Sequence, residues 1–304
     1  MDKSMFGDHA IPAEVQAFNA AQAERFGHLP SLWEMGIEQA RSGGVMPSPP
    51  SAHNAYDLSA GDVALHVVPH ASPRAVVLHI HGGGFILGGA AKQDPMLEAI
   101  AIGLGVTCAS IEYRLAPENP YPAAWDDCEA AASWLVENAA EHFGASRLLI
   151  MGESAGALLA VSTLVRLRAR GLADRFAGAA LSFGVYDSGM TPSQRLAETG
   201  VLKGRDITRI ADSYAPGIDR RDPDVSPLYA DLLGLPPALF TVGTLDAMLD
   251  DSMFMYGRWL AAGNRAELAL YPGADHAFIE TPHPSAKSAN ARIQSFLSEC
   301  LEQA

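Results

Sequence analysis

The stretch IMGESAGALLA, residues 150–160, sets Gly152, a charged Glu153, Ser154 and Gly156 between two apolar runs. Upstream, RLLIM (147–151) reads as a strand, and downstream the pattern over 155–169 is that of a helix. A serine at a sharp strand-to-helix turn is held in strained backbone angles, and small neighbours let strand and helix pass closely. Such a turn lifts the Ser154 hydroxyl clear of the sheet edge. It also aims the free N–H groups of the helix start at any oxyanion that forms there. The hydrophobic pattern breaks where a nucleophile elbow needs it to break. GxSxG alone is a weak signal. The competing reading is a glycine-flanked turn with Ser154 as helix N-cap.

Outward from this stretch, short β-branched runs alternate with helical patterns. Strands are expected at 63–68, 75–80, 106–111, 147–151, 177–183, 238–242 and 267–271. Helices are expected at 94–103, 122–142, 155–169, 248–262 and 284–302. This alternation predicts an α/β protein with a largely parallel, doubly wound sheet. The rhythm fails over 186–236, which offers a helix pattern over 205–214 but no clear strand. That segment reads as an insertion over the top of the sheet. Residues 1–45 read as amphipathic helices (AEVQAFNAAQAERF, then LPSLWEMGIEQA), followed by the turn-rich linker GGVMPSPPSAHN. The expected organisation is a helical cap element at 1–45 and a main domain over 46–304, with 186–225 inserted as the second part of the cap. Phe18, Phe26 and Trp33 are expected to pack the N-terminal helices onto the body.

The second motif is HIHGGGFILGG, residues 79–89, directly after the 75–80 strand. The run His81-Gly82-Gly83-Gly84 presents consecutive backbone N–H groups with no side chain in the way. Such a loop can donate to negative charge developing on a carbonyl oxygen. A flexible turn or a phosphate loop is the alternative, but no GK[ST] or GxGxxG spacing follows.

A nucleophile on such an elbow expects an acid and then a histidine further along the chain. FTVGTLDAMLDD leaves the 238–242 strand and meets Asp246 first, and LYPGADHAFIE leaves the 267–271 strand and meets His276. Each lies just past a strand C-terminus, where open α/β sheets place their sites. Asp250 and Asp251 compete with Asp246 but fall in the first turn of the 248–262 helix, where the dipole favours acids. His283 competes with His276 but sits in a Pro-rich lead-in.

The bulk numbers narrow the class. A chain of 304 residues, 48% hydrophobic and 18% charged, suits a folded domain with a sizeable core. A net charge of −14 argues against nucleic acid or an anionic membrane as partner. The N-terminus lacks a secretory pattern, and Cys108, Cys128 and Cys300 read as reduced, buried thiols of a cytoplasmic protein. HVVPH, with His66 and His70, reads as a strand end and not as a metal site.

Taken together, HGGGF (81–85), YRLAPENPYPAAWDD (113–127), GESAG (152–156), SPLYADLLGLPPALFTVGTLD (226–246) and YPGADHAF (271–278) resemble the hormone-sensitive-lipase-like family of α/β-hydrolase carboxylesterases. The resemblance runs from about residue 75 to the end. It implies an α/β-hydrolase fold, with a mostly parallel eight-stranded sheet flanked by helices under a helical cap. It also implies a Ser154–His276–Asp246 triad and an oxyanion hole from the N–H groups of Gly83, Gly84 and Ala155. In this family His81, beside Gly82, shapes the glycine loop and is not the base. The chain departs from the family where Ala247-Met248 follows the acid in place of Pro-Leu. It departs again at Glu153, where Asp or Thr is usual. Glu153 either ties down a neighbouring loop or is a solvated acid.

The expected activity is hydrolysis of small-molecule esters with short to medium acyl chains, through an acyl-enzyme on Ser154, without metal or organic cofactor. Phe85 and Tyr186 either line the substrate pocket or belong to the core. An amidase, carbamate hydrolase or arylformamidase would use the same triad. A non-catalytic ligand-binding member of the fold is the competitor from another class. The 267–271 strand is expected at a sheet edge, and a homodimer through it follows.

Overall fold

A computed structural model describes residues 3–26, 31–42, 50–198 and 200–303 of the chain. Eight strands form one sheet: β1 (Tyr56–Ala60), β2 (Val63–Val68), β3 (Val76–Ile80), β4 (Thr107–Glu112), β5 (Leu148–Glu153), β6 (Phe176–Ser182), β7 (Ala238–Gly243) and β8 (Ala266–Tyr271). Their spatial order is β1-β2-β4-β3-β5-β6-β7-β8. The β1/β2 and β2/β4 pairs are antiparallel and all other neighbours are parallel. The α-helices are α1 (Ala13–Phe26), α2 (Leu32–Met35), α3 (Ile37–Arg41), α4 (Asp94–Leu104), α5 (Ala123–Phe143), α6 (Ala155–Ala169), α7 (Pro192–Leu196), α8 (Gly204–Tyr214), α9 (Leu249–Ala261) and α10 (Ala286–Gln303).

The central strands are buried on both faces, which is why they read as apolar runs and not as alternating ones. In β3, Val76, Leu78 and Ile80 join the cluster beneath α5 and α6, while Val77 joins the cluster beneath α4 and α10. The seven expected strands form within two residues of their predicted ends. The eighth, β1, was implied by the family resemblance and not by the pattern. Its sequence YDLSA is polar and only Ala60 is buried, because a strand at the sheet edge needs no apolar face-to-face alternation. Cys108, Cys128 and Cys300 are buried free thiols. Among the described residues no helix is long and apolar enough to cross a membrane.

The segment between β6 and β7 carries α7 as well as the expected α8. The PSQRL sequence of α7 is too short for a helical period to register. Asp251, in the first turn of α9, anchors this segment. Its Oδ1 accepts from the N–H groups of Tyr186 and Asp187 at 2.7 and 2.9 Å. Its Oδ2 accepts from Thr191 Oγ1 and Gln194 Nε2, both at 2.7 Å. Burial pushes the Asp251 carboxyl up to about 7, and these four donors hold it from rising further. The expectation that Asp251 merely answers the helix dipole is therefore too weak.

α8 lies over the glycine loop: a Cβ on Gly84 would meet Ile210 at 3.2 Å, and the Tyr214 ring packs on Phe85 at 4.1 Å. The N-terminal helices reach the same rim. Asn19 Nδ2 donates to Gly273 O at 2.8 Å, and the Phe18 ring meets His283 edge-on at 5.1 Å. Arg41 Nε donates to Ile86 O at 2.8 Å and Arg41 also pairs with Glu118 at 2.9 Å. The stretch LPSLWEMGIEQA (29–40), read as helical, is interrupted at Gly36 into α2 and α3 among its described residues. The Arg209 guanidinium lies 5.9 Å from the Trp33 ring. The Phe26 side chain and linker residues 43–49 fall outside the described residues.

Candidate active site

β5 ends at Glu153 and α6 begins at Ala155, leaving Ser154 alone at the turn with φ 55° and ψ −118°. That conformation costs a non-glycine residue about 1–3 kcal/mol and persists only where the surroundings enforce it. The two flanking glycines show the enforcement. A Cβ on Gly152 would stand 2.4 Å from Gly156 O, and one on Gly156 would stand 1.9 Å from Ile80 O. Ser154 occupies the N-cap position, yet its hydroxyl makes no capping bond. It lies instead 2.9 Å from His276 Nε2, which sets aside the N-cap reading.

Asp246 follows β7 and His276 follows β8, neighbouring parallel strands whose C-terminal ends open at the same rim. His276 Nδ1 is 2.9 Å from Asp246 Oδ1 and 3.1 Å from Oδ2. Asp246 Oδ1 also accepts from Met248 N at 2.8 Å, so Ala247-Met248 supplies a backbone donor to the acid. Burial, the largest single influence, pulls the imidazole down. The Asp246 charge and hydrogen bond, aided by Asp275 and Glu280, overcome it and leave His276 raised above the ordinary histidine value. The Phe183 ring meets the imidazole edge-on at 4.9 Å. Asp275 Oδ1 accepts from the N–H of His276 at 2.7 Å, and its Oδ2 accepts from Val201 N at 3.1 Å.

The competitors are placed elsewhere. Asp250 accepts from Ser193 N at 2.8 Å, and Asp251 anchors the inserted segment. His283 Nδ1 accepts from Ser285 N at 3.0 Å and its ring sits between Phe18 and Phe278.

The glycine loop crosses in front of the elbow: a Cβ on Gly82 would meet Glu153 O at 2.9 Å and Ser154 Cβ at 3.4 Å. Gly83 has φ 112°, and a Cβ there would stand 2.3 Å from Leu87 O, so the turn admits only glycine. Among the described residues the N–H groups of Gly83 and Gly84 donate to no protein acceptor. Ala155 is the first residue of α6, so its N–H has no intrahelical acceptor either. Three free donors thus belong to the loop and elbow beside Ser154.

His81 does not reach the nucleophile. Its Nδ1 donates to Gly82 O at 2.7 Å, its ring stacks on Tyr113 at 4.1 Å, and burial lowers it to about 3, so it is neutral. Glu153 is fully buried, which corrects the solvated-acid alternative: its Oε2 lies 2.9 Å from His79 Nε2. Phe85 and Tyr186 are 1% and 0% exposed. Phe85 stacks on Trp125 at 5.1 Å and Tyr186 packs on Phe240 at 6.1 Å. Of the two alternatives for these rings, the structure displays core packing. Sequence reasoning missed His79, Phe183 and Asp275. Only His79 carried a signal, as a lone polar residue within the apolar run VVLHI.

This geometry has close relatives. A model of the alpha/beta hydrolase fold family (Abhydrolase_3) matches residues 77–280. Carboxylesterase NlhH of Mycobacterium tuberculosis is 34% identical over 241 residues, which is 74% of each chain. An acetyl-hydrolase of Streptomyces hygroscopicus is 33% identical over 202 residues, 66% of this chain and 67% of that one. The crystal structure of a hormone-sensitive lipase from a metagenome library superposes with a TM-score of 0.86 at 28% identity, covering 96% of this chain and 99% of that one. EstE5, soaked with p-nitrophenyl butyrate, superposes with a TM-score of 0.84 at 28% identity, over the same shares of the two chains. With an elbow, a glycine loop and an acid–imidazole pair meeting at one sheet edge, and with these relatives along most of its length, the chain belongs to the hormone-sensitive-lipase-like family of α/β-hydrolases and is a hydrolase.

Proposed function

We propose that the protein is a serine carboxylesterase acting on esters of short to medium acyl chains through an acyl-enzyme on Ser154. The observation that carries this reading is the continuous relay of Asp246, His276 and Ser154, each link at 2.9 Å, beside free amide donors. Ser154 Oγ attacks the ester carbonyl while His276 Nε2 takes its proton. Asp246 fixes the tautomer with Nδ1 protonated and stabilises the imidazolium. The N–H groups of Gly83, Gly84 and Ala155 receive the tetrahedral oxyanion, each worth ~3 kcal/mol of barrier. The C–O bond to the alcohol then breaks, and His276 Nε2 returns the proton to the departing oxygen. Water, deprotonated by His276, attacks the acyl carbon; the bond to Ser154 Oγ then breaks, and His276 returns the proton to that oxygen as the acid leaves.

The chain-length preference rests on two comparisons. One relative is an acetyl-hydrolase and one structural neighbour was soaked with a butyrate ester. The N-terminal helices and the inserted segment act in this reading as the cap that bounds the acyl site. Their contacts with the His276 loop and the glycine loop support it. The decisive experiment pairs fluorophosphonate labelling, mapped by mass spectrometry, with turnover of a p-nitrophenyl ester series from acetate to palmitate. Labelling at Ser154 and a maximum below about eight acyl carbons are expected. Absence of labelling in folded protein overturns the esterase reading, and a maximum at palmitate overturns the chain-length claim.

A further inference from the structure

Ester hydrolysis by this site requires the nucleophile and the oxyanion donors to be held within about half an ångström of their working separation. They lie on two different loops. The glycine loop leaves β3 and the elbow leaves β5, and the ladder between these parallel strands ends with Ile80 opposite Gly152. Beyond that pair, among the described residues, no backbone hydrogen bond joins the two loops, although the proposed chemistry happens there.

One side-chain chain braces this end of the ladder, from His79, opposite Met151 one rung before that last pair, to Glu153 at the end of β5. His79 is two residues before His81, and Glu153 is the residue before Ser154. His79 Nε2 lies 2.9 Å from Glu153 Oε2, and His79 Nδ1 lies 2.7 Å from Ser110 Oγ on β4. Ser110, His79 and Glu153 thus span three adjacent strands, and all three are 0% exposed. Both imidazole nitrogens are engaged, so the ring cannot turn without losing a bond. Stability is a poor explanation for this arrangement. A buried carboxylate–imidazole pair gains little over apolar residues of the same volume, and Glu153 Oε1 is left without a partner. The polar chain nevertheless sits one residue from the nucleophile, at the end of the ladder and not in its middle.

We infer that His79 and Glu153 are positioning residues, a buried brace that sets the separation of Ser154 from the Gly83 and Gly84 donors. The inference rests on the esterase reading for its kinetic readout and is independent of it for its structural one. Glu153→Gln keeps an oxygen to accept from His79 and preserves the brace. The double variant His79→Leu/Glu153→Leu keeps the core filled and removes the brace without leaving an orphaned charge.

The test compares these two variants with the wild-type protein. For the double variant, kcat for p-nitrophenyl butyrate is expected to fall at least tenfold with KM within about twofold, and Glu153→Gln to recover kcat to within about threefold of wild type. Amide hydrogen exchange over residues 81–85 and 153–157 is expected to quicken at least tenfold in the double variant and to stay near wild type in Glu153→Gln. Wild-type kcat in the double variant overturns the inference. So does unchanged exchange in those two loops, and so does a uniform loss of protection across the whole chain. If the wild-type protein itself turns over no ester, the esterase reading has failed, and the exchange measurement still decides the brace.

Discussion

The Phe183 and His276 rings meet in a T-shaped pair, with centroids 4.9 Å apart and planes at 65°. Phe183 follows β6 directly and holds φ 38°, a left-handed backbone that turns its fully buried ring back toward the site. Asp246 fixes one end of the imidazole and Phe183 fixes its tilt, so Nε2 points at Ser154. Phe183→Leu fills most of the same volume without a flat ring. We expect kcat to fall roughly 10- to 100-fold, the penalty of a small misalignment, with KM nearly unchanged. Steady-state kinetics on a butyrate ester checks this, and equal kcat values refute it.

The raised His276 pKa fixes the direction of the pH profile. In the proposed mechanism the imidazole must be neutral to take the Ser154 proton, so activity should be lost as pH falls through its pKa. Because Asp246, Asp275 and Glu280 together outweigh burial, the acid limb of kcat/KM should have its midpoint above the ordinary value of about 6.5. Asp246→Asn removes the largest favourable charge. Its acid limb should move to lower pH, and its plateau should drop by about four decades because the tautomer is no longer held. A limb that stays in place in the variant contradicts the assignment of the acid.

Gly156→Ala tests the elbow. Within a helix this change ordinarily stabilises by about 1 kcal/mol. Here the new Cβ would stand 1.9 Å from Ile80 O, a backbone atom of the central sheet. We expect a net loss of roughly 2–3 kcal/mol, read from urea unfolding, together with reduced labelling of Ser154. A variant as stable as the wild type would mean that strand and helix have more room than their contact allows.

Asp251 gives a stability prediction with a pH signature. Its carboxyl is pushed up to about 7 from an ordinary 3.8. The folded protein therefore keeps this proton to higher pH than the unfolded chain does. That contribution is full below about 3.8 and is lost as pH rises through about 7. Asp251→Ala should flatten this window in urea midpoints measured from pH 4 to 8. It should also cost about 2–4 kcal/mol at pH 5, because four donors from residues 186–194 lose their acceptor.

β8 pairs with β7 on one side only and ends the sheet. An open edge invites pairing with a second copy, and a homodimer formed through β8 is the expected state in solution. Light scattering should return twice the 32.2 kDa chain mass. Proline introduced at Leu268 should remove a ladder donor and return the protein to one chain. A monomeric mass for the unaltered protein refutes the pairing.

The sequence by itself determined the main strand–helix alternation, the elbow and the candidate partners. These are local or ordered features. Strand burial leaves apolar runs, Gly152 and Gly156 mark a close approach, and Asp246 and His276 each follow a strand in the expected order. What the sequence left open depended on contacts between residues far apart in the chain. Whether Ser154 caps a helix or meets an imidazole was decided by a partner 122 residues away. Glu153 reads equally as solvated or buried until β3 brings His79 against it. Asp251 looks like an ordinary first-turn acid until the inserted segment folds onto it. Phe85 and Tyr186 look the same in sequence whether they face a ligand or the core. Pattern reports which face of an element is apolar, but only the packed fold decides what a polar group meets there, because that meeting depends on distance and burial and not on order along the chain.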